Sequence, residues 1–324
     1  ALSGAASTLQ GMRLVVFGQA PFGRKVFEGL AAAGHEIALV YAPADQGERA
    51  DPLAEAAREA GVALETPANY KDAAVQARVE AAGADLGVLA FVTKIIPEAV
   101  IDAPRQGSIC YHPSLLPRFR GGSALAWQLI RGETRGGYSI FWTDAGVDSG
   151  PILLQREVEI GTGESAGSYY FRDLLEPSVA AMVEAVGLVA AGTAPRLVQD
   201  ESAASHDPLC RDEHAAIVWD RPSRVLHNLV RGCDPQPGAY ATVVGEKLRL
   251  YGSRCLDAAA VDLGTADPGT ILSIDGDGLL VAAGSGGAAG SLLFAKARGP
   301  GGKATASEVA AALSLKPGTR LADG

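Results

Sequence analysis

The run Arg13-Leu-Val-Val-Phe17 is apolar after its first residue and leads into a turn, Gly18 to Gly23. A stretch of helix formers, Arg24 to Ala33, follows and is stopped by Gly34. A strand without alternation is covered on both faces, and that restricts the chain to a sheet flanked by helices. The pattern then repeats. Glu36 to Tyr41, Leu86 to Phe91, Gly107 to Tyr111 and Tyr138 to Thr143 read as strands. Asp51 to Ala60, Lys71 to Ala82, Pro97 to Ile101 and Ser123 to Arg131 read as helices between them. Short connections in this alternation predict a mostly parallel, doubly wound α/β sheet.

Glu164 to Gly192 reads as a long helix and its approach, kinked or broken at Pro177. Ala191 to Pro208 has the composition of a linker. Beyond it, Ala215 to Trp219 is predicted as a strand and Arg221 to Arg231 as a helix. Short alternating runs follow: Ala239 to Val244, Lys247 to Tyr251, Gly269 to Ile274, Gly278 to Ala282 and Ser291 to Ala295. Gly284 to Gly290 reads as a flexible hairpin tip. Such runs with glycine-rich turns predict a small β-barrel or open barrel. The expected division is a tag remnant or disordered tail over 1–11, an α/β domain over 12–203 and a β-rich domain over 204–324.

With 324 residues, 48% of them apolar, the chain can bury a large core and a smaller one. No 18-residue apolar run occurs, which argues against a membrane span. A net charge of −9 argues against general nucleic-acid binding. Cys110, Cys210, Cys233 and Cys255 lack metal-ligand spacing, so no metal is expected, and they suit a reducing, cytoplasmic compartment. The sequence carries no signal for oligomeric state.

His112 directly follows the fourth strand, at a carboxyl end where open α/β sheets bind ligands. The turn Asp144-Ala-Gly-Val-Asp148 follows the fifth strand, and it is expected to reach the same rim. An imidazole and a carboxylate converging there can move protons around an attacked carbonyl. Cys110 shares a strand face with His112 and is either a nucleophile or a small filler. Arg118 and Arg120, on a loop anchored by Pro113 and Pro117, are either solvated or recognise a substrate anion, with Ser114 beside them. The Gly18–Gly23 turn matches a dinucleotide fingerprint incompletely, because Ala20 replaces its second glycine; Asp45 is the acid near a ribose position. His227 and Arg231, at i, i+4 spacing, either pack the second domain or face an anionic acceptor.

The motifs Gly18-Gln19 with Phe22-Gly23, Val88 to Pro97, His112-Pro-Ser-Leu-Leu-Pro-Arg118, Asp144 to Ile152 and Trp219 to Gly232 carry a family resemblance. The chain resembles the folate-dependent formyl-transferring enzymes. It is most similar to the amino-terminal hydrolase part of 10-formyltetrahydrofolate dehydrogenase, and next to methionyl-tRNA formyltransferase. The resemblance implies a Rossmann-like catalytic domain, an OB-like carboxyl-terminal domain and 10-formyltetrahydrofolate as formyl donor. It implies catalysis by His112 and Asp148. It also implies a pterin held by backbone along Ala90, Phe91, Val92, Ile95 and Ile96, and along Thr143, Asp144 and Gly146. Transferases of the family carry Asn where this chain has Cys110, and losing such an amide at a forming oxyanion costs about 10²–10³-fold. Nothing matches the dehydrogenase's further domains, and Leu315 to Leu321 resembles the close of a stand-alone transferase. The expected acceptor is a small amine or water. Residues 204–324 hold 12 Lys and Arg against 13 Asp and Glu, which weighs against tRNA. A nucleotide-sugar N-formyltransferase and a non-catalytic folate-binding module are the alternatives.

Overall fold

The computed structural model describes residues 11–47, 49–256 and 266–324. The expected tail over 1–11 lies outside the described residues apart from Gly11. The first elements are β1 (Arg13–Gly18), α1 (Ala20–Ala32), β2 (Glu36–Tyr41), α2 (Pro52–Glu59), β3 (Leu64–Glu65) and α3 (Ala73–Ala82). They continue with β4 (Leu86–Ala90), α4 (Glu98–Ile101), β5 (Ser108–His112), α5 (Ala124–Ile130), β6 (Arg135–Trp142) and β7 (Ile152–Glu159). Next come α6 (Ala166–Ser168), a π-helical turn over Tyr169–Leu174, α7 (Leu175–Ala190) and α8 (Ser223–Gly232). The remainder is β8 (Tyr240–Val243), β9 (Glu246–Leu256), β10 (Ile271–Asp275), β11 (Gly278–Ala283), β12 (Gly290–Gly299), β13 (Gly302–Thr305) and α9 (Ala306–Ala312).

Two compact units result. One takes the chain up to Gly122 with Gly137–Val158 and Arg172–His206; the other takes Ser123–Gly136, Glu159–Phe171 and everything from Asp207 on. The sequence suggests one boundary near residue 203, whereas the units are interleaved. The reason lies in α5, whose Ala126 and Ile130 abut Gly232 at the end of α8 so closely that no side chain fits there.

The first unit is built on a seven-stranded sheet in the order β3-β2-β1-β4-β5-β6-β7. Strands β1 to β5 pair in parallel, and the order reverses between β1 and β4, the switch point of a doubly wound sheet. One face is packed by Val15, Phe17, Leu39 and Tyr41 together with Val75 and Val79 of α3. The rings of Phe17 and Tyr41 stack at 4.9 Å. At the switch point Gly18 has no room for a side chain: a Cβ there would sit 2.4 Å from the Ala90 carbonyl oxygen.

The second unit holds an antiparallel sheet, β10-β11-β12-β9-β8 with β13 on β12. Arg320 bridges to Thr270, and Ala322 to Thr242 on β8, so the C-terminal segment joins the two sides of the sheet and curls it towards a barrel. Trp219, Val230, Leu250 and Phe294 lie in its core, with Trp219 edge-on to Phe294.

Several elements differ from expectation. Ala215 to Trp219 is not a strand but a single bridge, Ala216 to Tyr240. The predicted long helix runs from Ala166 to Ala190 but passes through a π-helical turn over Tyr169–Leu174, and Pro177 follows that turn directly. Strand β7 escapes the pattern because its second half, Gln155 to Glu159, is charged and largely exposed, as an edge strand permits. No helix among the described residues is long and apolar enough to cross a membrane.

Candidate active site

His112 is the last residue of β5 and is 5% exposed. Its Nε2 lies 2.7 Å from the carbonyl oxygen of Phe119. A carbonyl only accepts, so Nε2 carries the hydrogen and Nδ1 is left for other work. Nδ1 faces Asp148 Oδ2 at 3.4 Å, a loose contact by hydrogen-bond standards. The same carboxylate oxygen accepts the Gly121 N–H at 2.8 Å. Oδ1 of Asp148 has no hydrogen-bond partner among the described residues.

The route by which Asp148 arrives is not the expected one. Strand β6 runs antiparallel to β5, so Trp142 lies opposite Ile109 and Ser139 opposite His112. The turn after β6 therefore starts beside the beginning of β5, and the carboxylate must reach back. The turn is shaped for this. Asp144 Oδ1 accepts from Gly146 N and Ser149 Oγ, so this acid folds the turn. Asp148 takes a left-handed conformation, φ +54°, and a Cβ at Gly150 would meet the Trp142 carbonyl oxygen at 1.7 Å. Phe119, whose carbonyl holds the imidazole, is likewise left-handed, φ +59°. Such conformations cost about 1–3 kcal/mol each and persist where surroundings enforce them.

The enforcement comes from residues 191–206, which composition presents as a linker. Leu197 pairs with Ile152 at the sheet edge, and Ser205 Oγ accepts the Phe119 N–H at 2.8 Å. Gln199, 5% exposed, donates from Nε2 to the carbonyls of Asp148 and Gly150 at 2.9 and 2.7 Å. Its Oε1 accepts from Arg120. No local signal marks Gln199; only its tertiary partners do.

Arg120, expected as an anion contact, is turned into the protein. It is 3% exposed and its guanidinium is spent on Gln199 and on both oxygens of Glu201. The Glu201 hydrogen bond holds that guanidinium more basic than usual, against the pull of burial. Ser114 is fully buried and donates from Oγ to the Arg118 carbonyl at 2.7 Å. Its own carbonyl accepts from Ser139, and Gln155 ties Ser139 to the Leu116 carbonyl. Arg118 is exposed, its guanidinium 5.0 Å from the Phe119 ring centroid. Cys110 is adjacent on β5, but burial and then the Asp148 charge push its thiol well up, which opposes the thiolate a nucleophile needs.

In the Ala90–Ile96 segment, Ala90 and Ile96 are buried while Phe91 and Ile95 are exposed, Ile95 by 81%. Val147, in the Thr143–Asp148 turn, is 51% exposed. A small cleft lined by Gly18, Gln19, Ala42, Tyr70, Val92 and Lys94 opens at the carboxyl ends of β1, β2 and β4. The incomplete dinucleotide turn has other uses: Ala20 N donates to Asp51, and Asp45 pairs with Arg58. His227 and Arg231 are inward residues of the second unit. His227 bonds Ser253 Oγ and the Thr162 carbonyl, and Arg231 donates to the Gly161 carbonyl.

A doubly wound sheet, a second unit built on an antiparallel sheet, and a buried imidazole beside a carboxylate define a two-part α/β protein with an acid–base pair at the rim of its sheet. Residues 12–186 match the family described as formyl transferase, and 210–312 match its C-terminal domain. The chain belongs to the formyl transferase family, whose members are enzymes using formyl-tetrahydrofolate. It is 42% identical over 253 residues to mitochondrial 10-formyltetrahydrofolate dehydrogenase of Mus musculus, covering 76% of this chain but 27% of that protein. The chain thus spans less than a third of the dehydrogenases it matches. Methionyl-tRNA formyltransferase of Moorella thermoacetica is 33% identical over 298 residues, 90% of this chain and 93% of that one. Among solved structures, HypX from Aquifex aeolicus in complex with tetrahydrofolic acid shares the fold. Its TM-score is 0.67 at 18% identity, covering 93% of this chain and 47% of that one.

Proposed function

We propose that the chain transfers the formyl group of 10-formyltetrahydrofolate to a small amine or to water and releases tetrahydrofolate. The observation that carries the reading is the 3.4 Å approach of His112 Nδ1 to Asp148 Oδ2 on a framework that spends buried hydrogen bonds to hold both. The free Oδ1 of Asp148 orients the nucleophile and takes its proton, directly or through a water. As the nucleophile bonds to the formyl carbon, the carbonyl oxygen becomes an oxyanion. Asp148 passes the nucleophile's proton on to Nδ1 of His112, whose Nε2–H stays on the Phe119 carbonyl, and the Nδ1–H so formed bonds the oxyanion and then gives its proton to the departing nitrogen. The carbon–nitrogen bond breaks, leaving formate or a formylated amine. Positioned proton transfer of this kind contributes about 10²–10⁴-fold.

The donor's planar ring suits the exposed apolar surface of Phe91, Ile95 and Val147, which would lose water on contact. Segments 90–96 and 143–148 supply backbone groups around it. Cys110 offers no amide to the oxyanion, which favours water or a reactive small amine over a demanding acceptor.

Incubation with 10-formyltetrahydrofolate, with and without candidate amines, tests this by following tetrahydrofolate and formate together. Formate released without an amine marks a hydrolase, and a formylated amine marks a transferase. A second reading, tRNA as acceptor, is favoured by the near end-to-end match to methionyl-tRNA formyltransferase. Salt-sensitive retention of tRNA with formyl transfer onto its aminoacyl group would replace the first reading. Bound folate without turnover under every condition would sink both.

A further inference from the structure

We propose that Cys210 and Cys233 form an oxidisable dithiol, a reversible modification site in the second unit that takes a hydroperoxide as oxidant. Their sulfurs lie 3.9 Å apart, although 23 residues separate them in the chain. A disulfide needs about 2.05 Å, so the sulfurs must close by roughly 1.9 Å. Both backbones are anchored. Cys233 follows α8, its N–H bonded to the Leu229 carbonyl and its carbonyl to the Gly238 N–H. Cys210 N donates to Ser123 Oγ at 3.0 Å.

The two thiols are unequal in the way an attacking and a resolving cysteine are. Cys210 is partly exposed between exposed neighbours, Leu209 and Arg211, whereas Cys233 is fully buried. The two sulfurs share a hydrogen bond, and this pairing holds Cys210 below the usual thiol range. The same pairing and burial push Cys233 up. Cys110 and Cys255 have carbonyl oxygens as their sulfur contacts, and burial raises both.

The chemistry balances with one peroxide. The Cys210 thiolate attacks a peroxide oxygen, the S–O bond forms and the O–O bond breaks, leaving a sulfenic acid and hydroxide. The Cys233 sulfur then attacks the Cys210 sulfur; the S–S bond forms, the S–O bond breaks and water leaves. Two thiols are oxidised, and the peroxide is reduced to two waters.

The test is to treat the protein with a small excess of hydrogen peroxide, alkylate free thiols and map the peptides by mass spectrometry. The expected result is two alkylated cysteines of the four, a peptide joining Cys210 to Cys233, and return of all four after dithiothreitol. Four alkylatable thiols after peroxide, a cross-link between chains, or Cys210 carried to a sulfinic acid without a cross-link would each overturn the proposal. In Cys233→Ser the Cys210 sulfenic acid should accumulate and be trapped by dimedone. If that variant does not fold, the map of the unaltered protein still decides.

Discussion

Each of the two units buries a histidine with both ring nitrogens in contact with protein, yet only one faces a carboxylate. His227 lies between a hydroxyl and a carbonyl, Ser253 and Thr162, and burial lowers its affinity for a proton. His112 lies between a carbonyl and a carboxylate that is 18% exposed and has one oxygen uncommitted. Burial is common to both and so does not identify a reactive residue. The partner does. An oxygen that can take a proton beside an imidazole is equipment for chemistry, whereas a hydroxyl and a carbonyl fix a ring in place.

The largest effect expected from this contrast is kinetic. His112→Ala and Asp148→Asn should each lower turnover by about 10²–10⁴-fold, while circular dichroism stays native. Near-normal tetrahydrofolate release in either would erase the distinction between the histidines. Next comes the bracing of the site. Arg120→Ala leaves Gln199 Oε1 without its donor and should cost about 1–3 kcal/mol in urea unfolding. An unchanged midpoint would return Arg120 to the substrate contacts.

The pH dependence of stability separates the histidines differently. Because folding lowers the pKa of His227, the unfolded chain binds a proton first as pH falls below about 6.5, and stability drops through that window. His227→Gln should flatten the fall, and an unaltered slope would mean that the ring is not held neutral. Smaller still is Asp212, which hydrogen bonds from Arg249 and then Lys247 hold down to about 2. Its contribution is present above the ordinary carboxylate range and lost as pH falls through about 2. Half-exposed, it is worth at most about 1 kcal/mol. Asp212→Asn should raise the acid-unfolding midpoint only slightly. Cys110→Ala should leave turnover close to normal, and a collapse of activity would revive the thiol as a nucleophile.

What could be read in the sequence was local. The strands β1, β2, β4 and β5 announce themselves because apolar side chains cover both faces, and His112 is visible because it ends one of them. The supports were hidden. Arg118 and Arg120 are two residues apart on one loop, and nothing local says that one is exposed and the other buried. Gln199 and Ser205 sit among Asp, Glu and Ser residues that suggest solvent, yet both are consumed by backbone groups far away in the chain. The antiparallel β6 was hidden too, since direction is set by pairing and not by composition. A polar residue's surroundings are decided by its partners, and those come from other segments.

The left-handed backbone at Asp148 bears on how a saturation library at this position should be interpreted. Most replacements would alter two things at once, the carboxylate and the bend of the chain, and a dead clone would say nothing about which mattered. Asparagine and glycine tolerate that bend, so those two alone report on the missing charge, and the remaining substitutions measure backbone shape against them.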